Sequence, residues 1–296
     1  MKIVLMNGGL GNQLFQYIFL RWLEIKTGEV CVLDNSAFCV DEPEHNGYEI
    51  ERLFGLKPRL LSDCFDADVW QAMMAEVQAG KSICQQLLDG GLSLAMVAET
   101  GDFNFNGNIF FTPVGTYNPY LAFSRGNIYF HGYWIQNCWI RDIQQVIQKE
   151  LSFPIPKDPV NIGYAKDILA SESVCMHVRR GDFVTLNRAA PIEYFPAAVH
   201  QLEDSLSKEV RKKLRYFIFS DDVRWCKEHK RELGLLDKDL VFVQGNKGVT
   251  AYMDMFLMSL CRHMILDNSS FVYLAALLNM NHGGNRIQPP NAAWQI

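Results

Sequence analysis

The sequence predicts an α/β fold in two halves, each a parallel sheet flanked by helices. Three observations carry this reading. The chain opens as a short apolar strand, a glycine-rich turn and an amphipathic helix. A proline-dense stretch interrupts it near the middle. Beyond that stretch, short apolar runs alternate again with segments of helical spacing. With 296 residues, the chain has room for two domains of ordinary size.

Taken in order, Lys2–Met6 reads as the first strand, and Asn7-Gly8-Gly9-Leu10-Gly11-Asn12 as the turn. Leu14, Phe15, Ile18, Phe19, Trp22 and Leu23 then recur at helical spacing. Val30–Leu33 reads as a second strand, residues 42–100 as mostly helical or irregular, and Ile128–Trp134 as a strand. The stretch Leu151-Ser152-Phe153-Pro154-Ile155-Pro156-Lys157-Asp158-Pro159 cannot continue a helix or a central strand, because proline lacks the N–H donor. The domain boundary belongs there, giving halves 1–153 and 154–296. In the second half Val174–Val178, Tyr216–Ser220, Leu240–Gln244 and Met264–Asp267 read as strands. Two α/β halves around a linker imply a cleft between them. Ligands of open parallel sheets bind beyond the carboxyl ends of the strands. The residues after each strand therefore matter most: 7–12, 179–182, 220–222 and 268–271.

Composition excludes several classes. Hydrophobic residues make up 49% and charged residues 21%, a soluble globular balance. A net charge of −5 argues against a nucleic-acid partner, which needs a concentrated basic surface. The basic stretches Lys208–Arg215 and Arg224–Arg231 are interleaved with acidic and apolar residues, as on a solvated helix face. The other reading is a weak dock for anionic lipid headgroups. The eight cysteines lack CxxC and zinc-like spacing and read as reduced, mostly buried thiols. The N-terminus is too short in apolar residues for a signal peptide, and no apolar run reaches the ~20 residues of a membrane span. The expected location is cytoplasmic, with peripheral association at the inner membrane face as a further expectation. Asp66-Ala67-Asp68 has the spacing of a Mg²⁺-holding pair, but it opens a helical run, where acids favour the helix start.

Four constellations remain. In His177-Val178-Arg179-Arg180-Gly181-Asp182, a guanidinium at a strand end suits a diphosphate, and Asp182 can orient an arginine. Asp182 and Glu193 are the general-base candidates nearest this motif. In Phe219-Ser220-Asp221-Asp222, the two acids can accept from a guanine edge or ribose, hold Mg²⁺, or cap the following helix. Asn268-Ser269-Ser270-Phe271 opens a helix whose N-terminus is an anion site, an N-cap, or both. Gly11, Asn12 and Gln13 close a glycine turn that lacks the third glycine of a dinucleotide fingerprint. The side chains of Asn12 and Gln13 suit sugar hydroxyls. Together these groups describe a transferase of nucleotide sugars in which arginine replaces a metal in neutralising the leaving diphosphate.

GGLGNQLFQY (8–17), HVRRGDF (177–183), FSDD with Trp225-Cys226 (219–226) and MILDNSSF (264–271) together resemble the bacterial α-1,2-fucosyltransferases of glycosyltransferase family 11. The resemblance implies a GT-B fold, with an acceptor-side first domain and a donor-binding second domain. It implies GDP-fucose as donor, the O2 of a terminal galactose in an oligosaccharide as acceptor, inversion at the anomeric carbon, and no metal cofactor. It also implies roles. Arg179 and Arg180 would hold the diphosphate. His177 with Asp221 or Asp222 would contact guanosine. Asn268, Ser269, Ser270 and Phe271 would line the phosphate and base pocket. Gly11, Asn12 and Gln13 would face the sugars. Where family members usually carry a serine and tryptophans after NSSF, this chain has Val272–Leu278. Another nucleotide sugar on the same scaffold, and a non-catalytic galactoside-binding protein, are the alternative readings.

Overall fold

The computed structural model describes residues 1–41, 45–101, 103–279, 283–290 and 292. The chain divides into two compact units, Met1–Pro154 and Ile155–Ile296, which part inside the proline-dense stretch.

Unit 1 runs β1 (Lys2–Leu5), α1 (Leu10–Thr27), β2 (Cys31–Asp34), α2 (Ile50–Phe54), α3 (Ala67–Gln78), α4 (Ile83–Asp89), β3 (Leu94–Ala98), β4 (Asn108–Phe111), β5 (Asn127–His131), α5 (Asn137–Asp142) and α6 (Gln144–Glu150). Its sheet is parallel, in the order β2-β1-β5-β3-β4. The helix α1 stops at Gly28, whose φ of 70° is a left-handed C-cap that glycine adopts without a Cβ penalty. Phe19 of α1 stacks on Trp134 at 4.1 Å and meets Trp139 edge-on at 5.1 Å, a packed aromatic core. The other face of the sheet buries Ile3, Met96 and Tyr129 against Ile83 and Leu87 of α4. Asp66 precedes α3 and Asp68 lies in its first turn, the helix-start placement expected for this pair.

Unit 2 runs α7 (Pro159–Leu169), β6 (Glu172–Val178), α8 (Gly181–Thr185), α9 (Tyr194–Asp204), α10 (Lys208–Arg211), β7 (Leu214–Ser220), α11 (Val223–Glu228), β8 (Asp239–Phe242), α12 (Tyr252–Leu260), β9 (His263–Ile265), α13 (Ser270–Leu277) and β10 (Arg286–Ile287). The end of the proline stretch starts α7. Asp158 caps it by accepting from Asn161 N–H at 2.8 Å, and Pro159 takes the first turn, where its missing donor costs nothing. The sheet is again parallel, ordered β10-β9-β6-β7-β8. The strands β6 and β7 are buried almost throughout, which is why they read as continuous apolar runs.

The structure corrects the element reading at several points. Residues 42–100 contain a strand, β3, and the short strands β4 and β10 were unforeseen. The strand expected over Ile128–Trp134 ends at His131, and Trp134 turns away with φ of 54°. All eight cysteines are free thiols, and Cys39 is exposed. Among the described residues, no helix is long and apolar enough to cross a membrane.

Candidate active site

In unit 2 the chain passes from β6 to β7 and β8 on one side, then returns to place β9 and β10 on the other. The carboxyl ends of β6 and β9 are thus the topological switch point of this sheet, where open α/β sheets bind ligands. The arginine motif follows β6, and Asp267–Phe271 follows β9.

Asp267 ties these two strand ends together. Its carboxylate is buried and meets three partners. Oδ1 lies 2.9 Å from His177 Nδ1 and accepts from Ser269 N–H at 3.0 Å. Oδ2 accepts from the backbone N–H of Arg179. One acid therefore fixes the end of β6, the ring of His177 and the start of α13. Ser269 caps α13, with Oγ accepting from Phe271 N–H at 3.3 Å. Val272 through Ala276 are buried, so α13 is apolar all round and belongs to the core of its unit. His177 is itself buried, with its ring 6.3 Å from that of Phe271.

Asp221 makes the matching tie between β6 and β7, where Val178 registers with Ser220. Its Oδ1 accepts from Arg180 N–H at 2.8 Å, and its Oδ2 lies 3.1 Å from Arg179 Nη1. A Cβ on Gly181 would sit 2.6 Å from the same Oδ2, so only glycine fits between this acid and the turn. Asp182 accepts from Arg179 Nη2 at 2.7 Å, the orienting role foreseen for it. Arg179 is thus gripped by two carboxylates. Arg180 instead lies over Trp225, with its guanidinium carbon 3.8 Å from the ring centroid. Asp222 caps α11 by accepting from Trp225 N–H at 2.9 Å, the helix-cap alternative of its three readings. Asn268 donates to the carbonyl of Arg188 at 3.2 Å, while its Oδ1 is buried without a hydrogen-bond partner.

The structure therefore brings His177, Arg179, Arg180, Asp182, Asp221, Asp222 and 268–271 to one sheet edge of unit 2. Gly11, Asn12 and Gln13 belong to α1 of unit 1. Here one expectation is corrected. Gln13 is fully buried, and its amide is spent on its own unit. Nε2 donates to the carbonyls of Gly8 at 2.9 Å and Gly47 at 2.8 Å, and Oε1 accepts from Glu49 N–H at 2.9 Å. It braces the glycine turn and does not present a side chain to sugars. Gln16 does the same for Asn7 and Gly132. Gly11 is buried too, while Asn12 is partly exposed, with its amide under Gly8.

Sequence reasoning missed Asp267 and Asp254. Asp267 was visible only as a strand-end acid, since its main partner, His177, lies 90 residues away. Asp254 lies on α12 and accepts from Asn246 Nδ2 at 2.7 Å. Burial pushes its pKa up to about 6, against the opposing pull of the Asn246 hydrogen bond and the nearby His177. The folded chain thus holds this proton up to about pH 6, while the unfolded chain releases it near 4. Stability contributed by this site falls as pH rises through that window. Asp254→Asn is expected to stabilise the protein by about 2 kcal/mol above pH 7 and by little near pH 4, as read by urea unfolding at both pH values. Equal effects at the two pH values would contradict the raised pKa.

Two parallel α/β units, the second with its polar groups at the switch point, are the architecture of a GT-B glycosyltransferase. Solved structures agree on the fold. Fucosyltransferase NodZ from Bradyrhizobium aligns over 94% of this chain and 92% of its own, with a TM-score of 0.53 at 14% identity. NodZ α-1,6-fucosyltransferase co-crystallised with GDP matches equally, over 94% and 91%. The profile of glycosyl transferase family 11 matches residues 113–293, and the chain belongs to that family. Two curated Escherichia coli proteins are similar across nearly all of it. An α-1,2-colitosyltransferase is 27% identical, covering 95% of this chain and 89% of the relative. The O-antigen biosynthesis glycosyltransferase WbnK is 25% identical, covering 93% and 89%.

Proposed function

We propose that this glycosyltransferase moves L-fucose from GDP-β-L-fucose to the O2 of a terminal galactose in an oligosaccharide, with inversion and without a metal. The observation that carries the reading is the pair Arg179–Arg180 at the switch point of unit 2, pinned by Asp267 and Asp221 beside the N-terminus of α13. Two guanidiniums and a helix N-terminus supply positive charge and N–H donors, the chemistry that a diphosphate leaving group requires. Unit 2 takes the donor and unit 1 the acceptor. The acceptor hydroxyl attacks the anomeric carbon from the face opposite GDP, through an oxocarbenium-like transition state. The arginines then stabilise the charge that develops on the departing phosphate. The NodZ crystals with GDP support a GDP-sugar donor, and the name of the α-1,2-colitosyltransferase supports α-1,2 transfer.

A second reading has a specific motive. The similarity to an α-1,2-colitosyltransferase favours colitose, which is L-fucose without its 3-hydroxyl, as the transferred sugar. Initial rates with GDP-fucose, GDP-colitose, GDP-mannose and UDP-galactose on a β-galactoside acceptor decide between them. Turnover highest with GDP-fucose is the expected result. A preference for GDP-colitose moves the donor within the same mechanism, and a preference for UDP-galactose refutes the reading.

A further inference from the structure

Arg179 and Arg180 are neighbours in sequence but are held by opposite means. Arg179 is gripped at its edges, by Asp182 at 2.7 Å and Asp221 at 3.1 Å. Only the backbone N–H of Arg180 meets Asp221. Among the described residues no carboxylate pairs with the Arg180 guanidinium, whose central carbon lies over the indole of Trp225. The indole is itself fixed. It stacks on His229, with centroids 4.2 Å apart and planes 16° apart. Its backbone N–H donates to Asp222 at 2.9 Å, and its carbonyl accepts from His229 Nδ1 at 2.9 Å. The parallel register of Val178 with Ser220 brings this first turn of α11 beside the arginine.

An edge-on carboxylate and a face-on indole do different things to a guanidinium. A carboxylate consumes N–H donors and offsets the charge, so it competes with an incoming anion. An aromatic face orients the same group through its quadrupole and leaves the donors and the full charge in place. We propose that Trp225 is a positioning residue for the donor diphosphate. It holds Arg180 by its face so that the guanidinium edge stays available to phosphate oxygens, while Asp182 and Asp221 set the geometry of Arg179. This inference rests on the proposed reading that the donor is a guanosine diphosphate sugar.

The test is GDP affinity, measured by calorimetry for the wild type, Trp225→Leu, Trp225→Phe, Arg180→Ala and the Trp225→Leu/Arg180→Ala double variant. Trp225→Leu should weaken GDP binding about five- to tenfold, the scale of a cation–π contact at a partly desolvated site. Trp225→Phe, which keeps an aromatic face, should stay within about threefold of the wild type, while Trp225→Met, which does not, should show the loss expected of the leucine variant and serves in its place if that one fails to fold. The double variant should bind no worse than Arg180→Ala alone, because the indole acts only through the arginine. Wild-type affinity in Trp225→Leu, or losses that add in the double variant, would overturn the proposal while leaving the donor reading intact. Additive losses would mean that the indole touches the nucleotide directly. A wild type that binds no GDP refutes the donor reading, and the role of Trp225 with it.

Discussion

Replacing Arg179 with alanine is expected to lower the transfer rate by about 10²- to 10³-fold, the scale for removing one preorganised group that stabilises charge in a transition state. The geometry explains why so much should rest on one side chain. Arg179 is held before any substrate arrives, by Asp182 at 2.7 Å, Asp221 at 3.1 Å and the Asp267 carboxylate on its backbone N–H. A preorganised cation needs no reorientation when charge develops on the leaving phosphate, so its loss falls on kcat more than on donor KM. Arg179→Lys separates charge from shape. Lysine keeps the charge but cannot reproduce two edge contacts and still offer a forked face, so it should recover only part of the rate. Steady-state kinetics of both variants with GDP-fucose check this, and near-normal kcat in Arg179→Ala would remove the arginine from the mechanism.

The largest expected loss of stability comes from Asp267→Asn. The change keeps the volume and replaces one carboxylate oxygen with an amide that donates. Whichever way the amide turns, it sets N–H against N–H, facing either the Arg179 backbone or the Ser269 backbone and the His177 ring. Losing a hydrogen bond to a charged acceptor costs about 1.5–3 kcal/mol, and stranding a buried donor adds to it, so a total of about 3 kcal/mol is expected. Thermal melting should fall by roughly 10 °C, on the scaling of melting temperature with stability for domains of this size. The variant should also bind GDP poorly even at temperatures where it is folded, because the end of β6 and the start of α13 are no longer pinned together. A melting temperature unchanged from the wild type would show that Asp267 is not the tie described here.

Much of this arrangement was legible in the sequence because parallel strands buried on both faces announce themselves. SVCMHV and YFIFS are continuous apolar runs, and the polar residues that end them are the site. The proline stretch was equally plain, since no regular element tolerates it. Other parts were hidden for physical reasons. LAMVA, the strand β3, is built of residues that suit a helix as well, and its pairing with β4 and β5 decides its state. Gln13 looked ready for a ligand because a glutamine in a glycine turn carries free hydrogen-bonding groups on paper. Its partners, the Gly47 carbonyl and Glu49 N–H, lie more than 30 residues away. The different grips on Arg179 and Arg180 could not be read from RR either. They depend on which side chains the β6–β7 register sets alongside.

The most direct test of the central claim, arginine-assisted transfer from GDP-fucose, is GDP release from that donor in excess EDTA, with and without lactose. The account predicts release that depends on lactose and is indifferent to the chelator. Release that appears only when Mg²⁺ is restored would contradict it, and would return the diphosphate to a metal held by the acidic pair at Asp221 and Asp222.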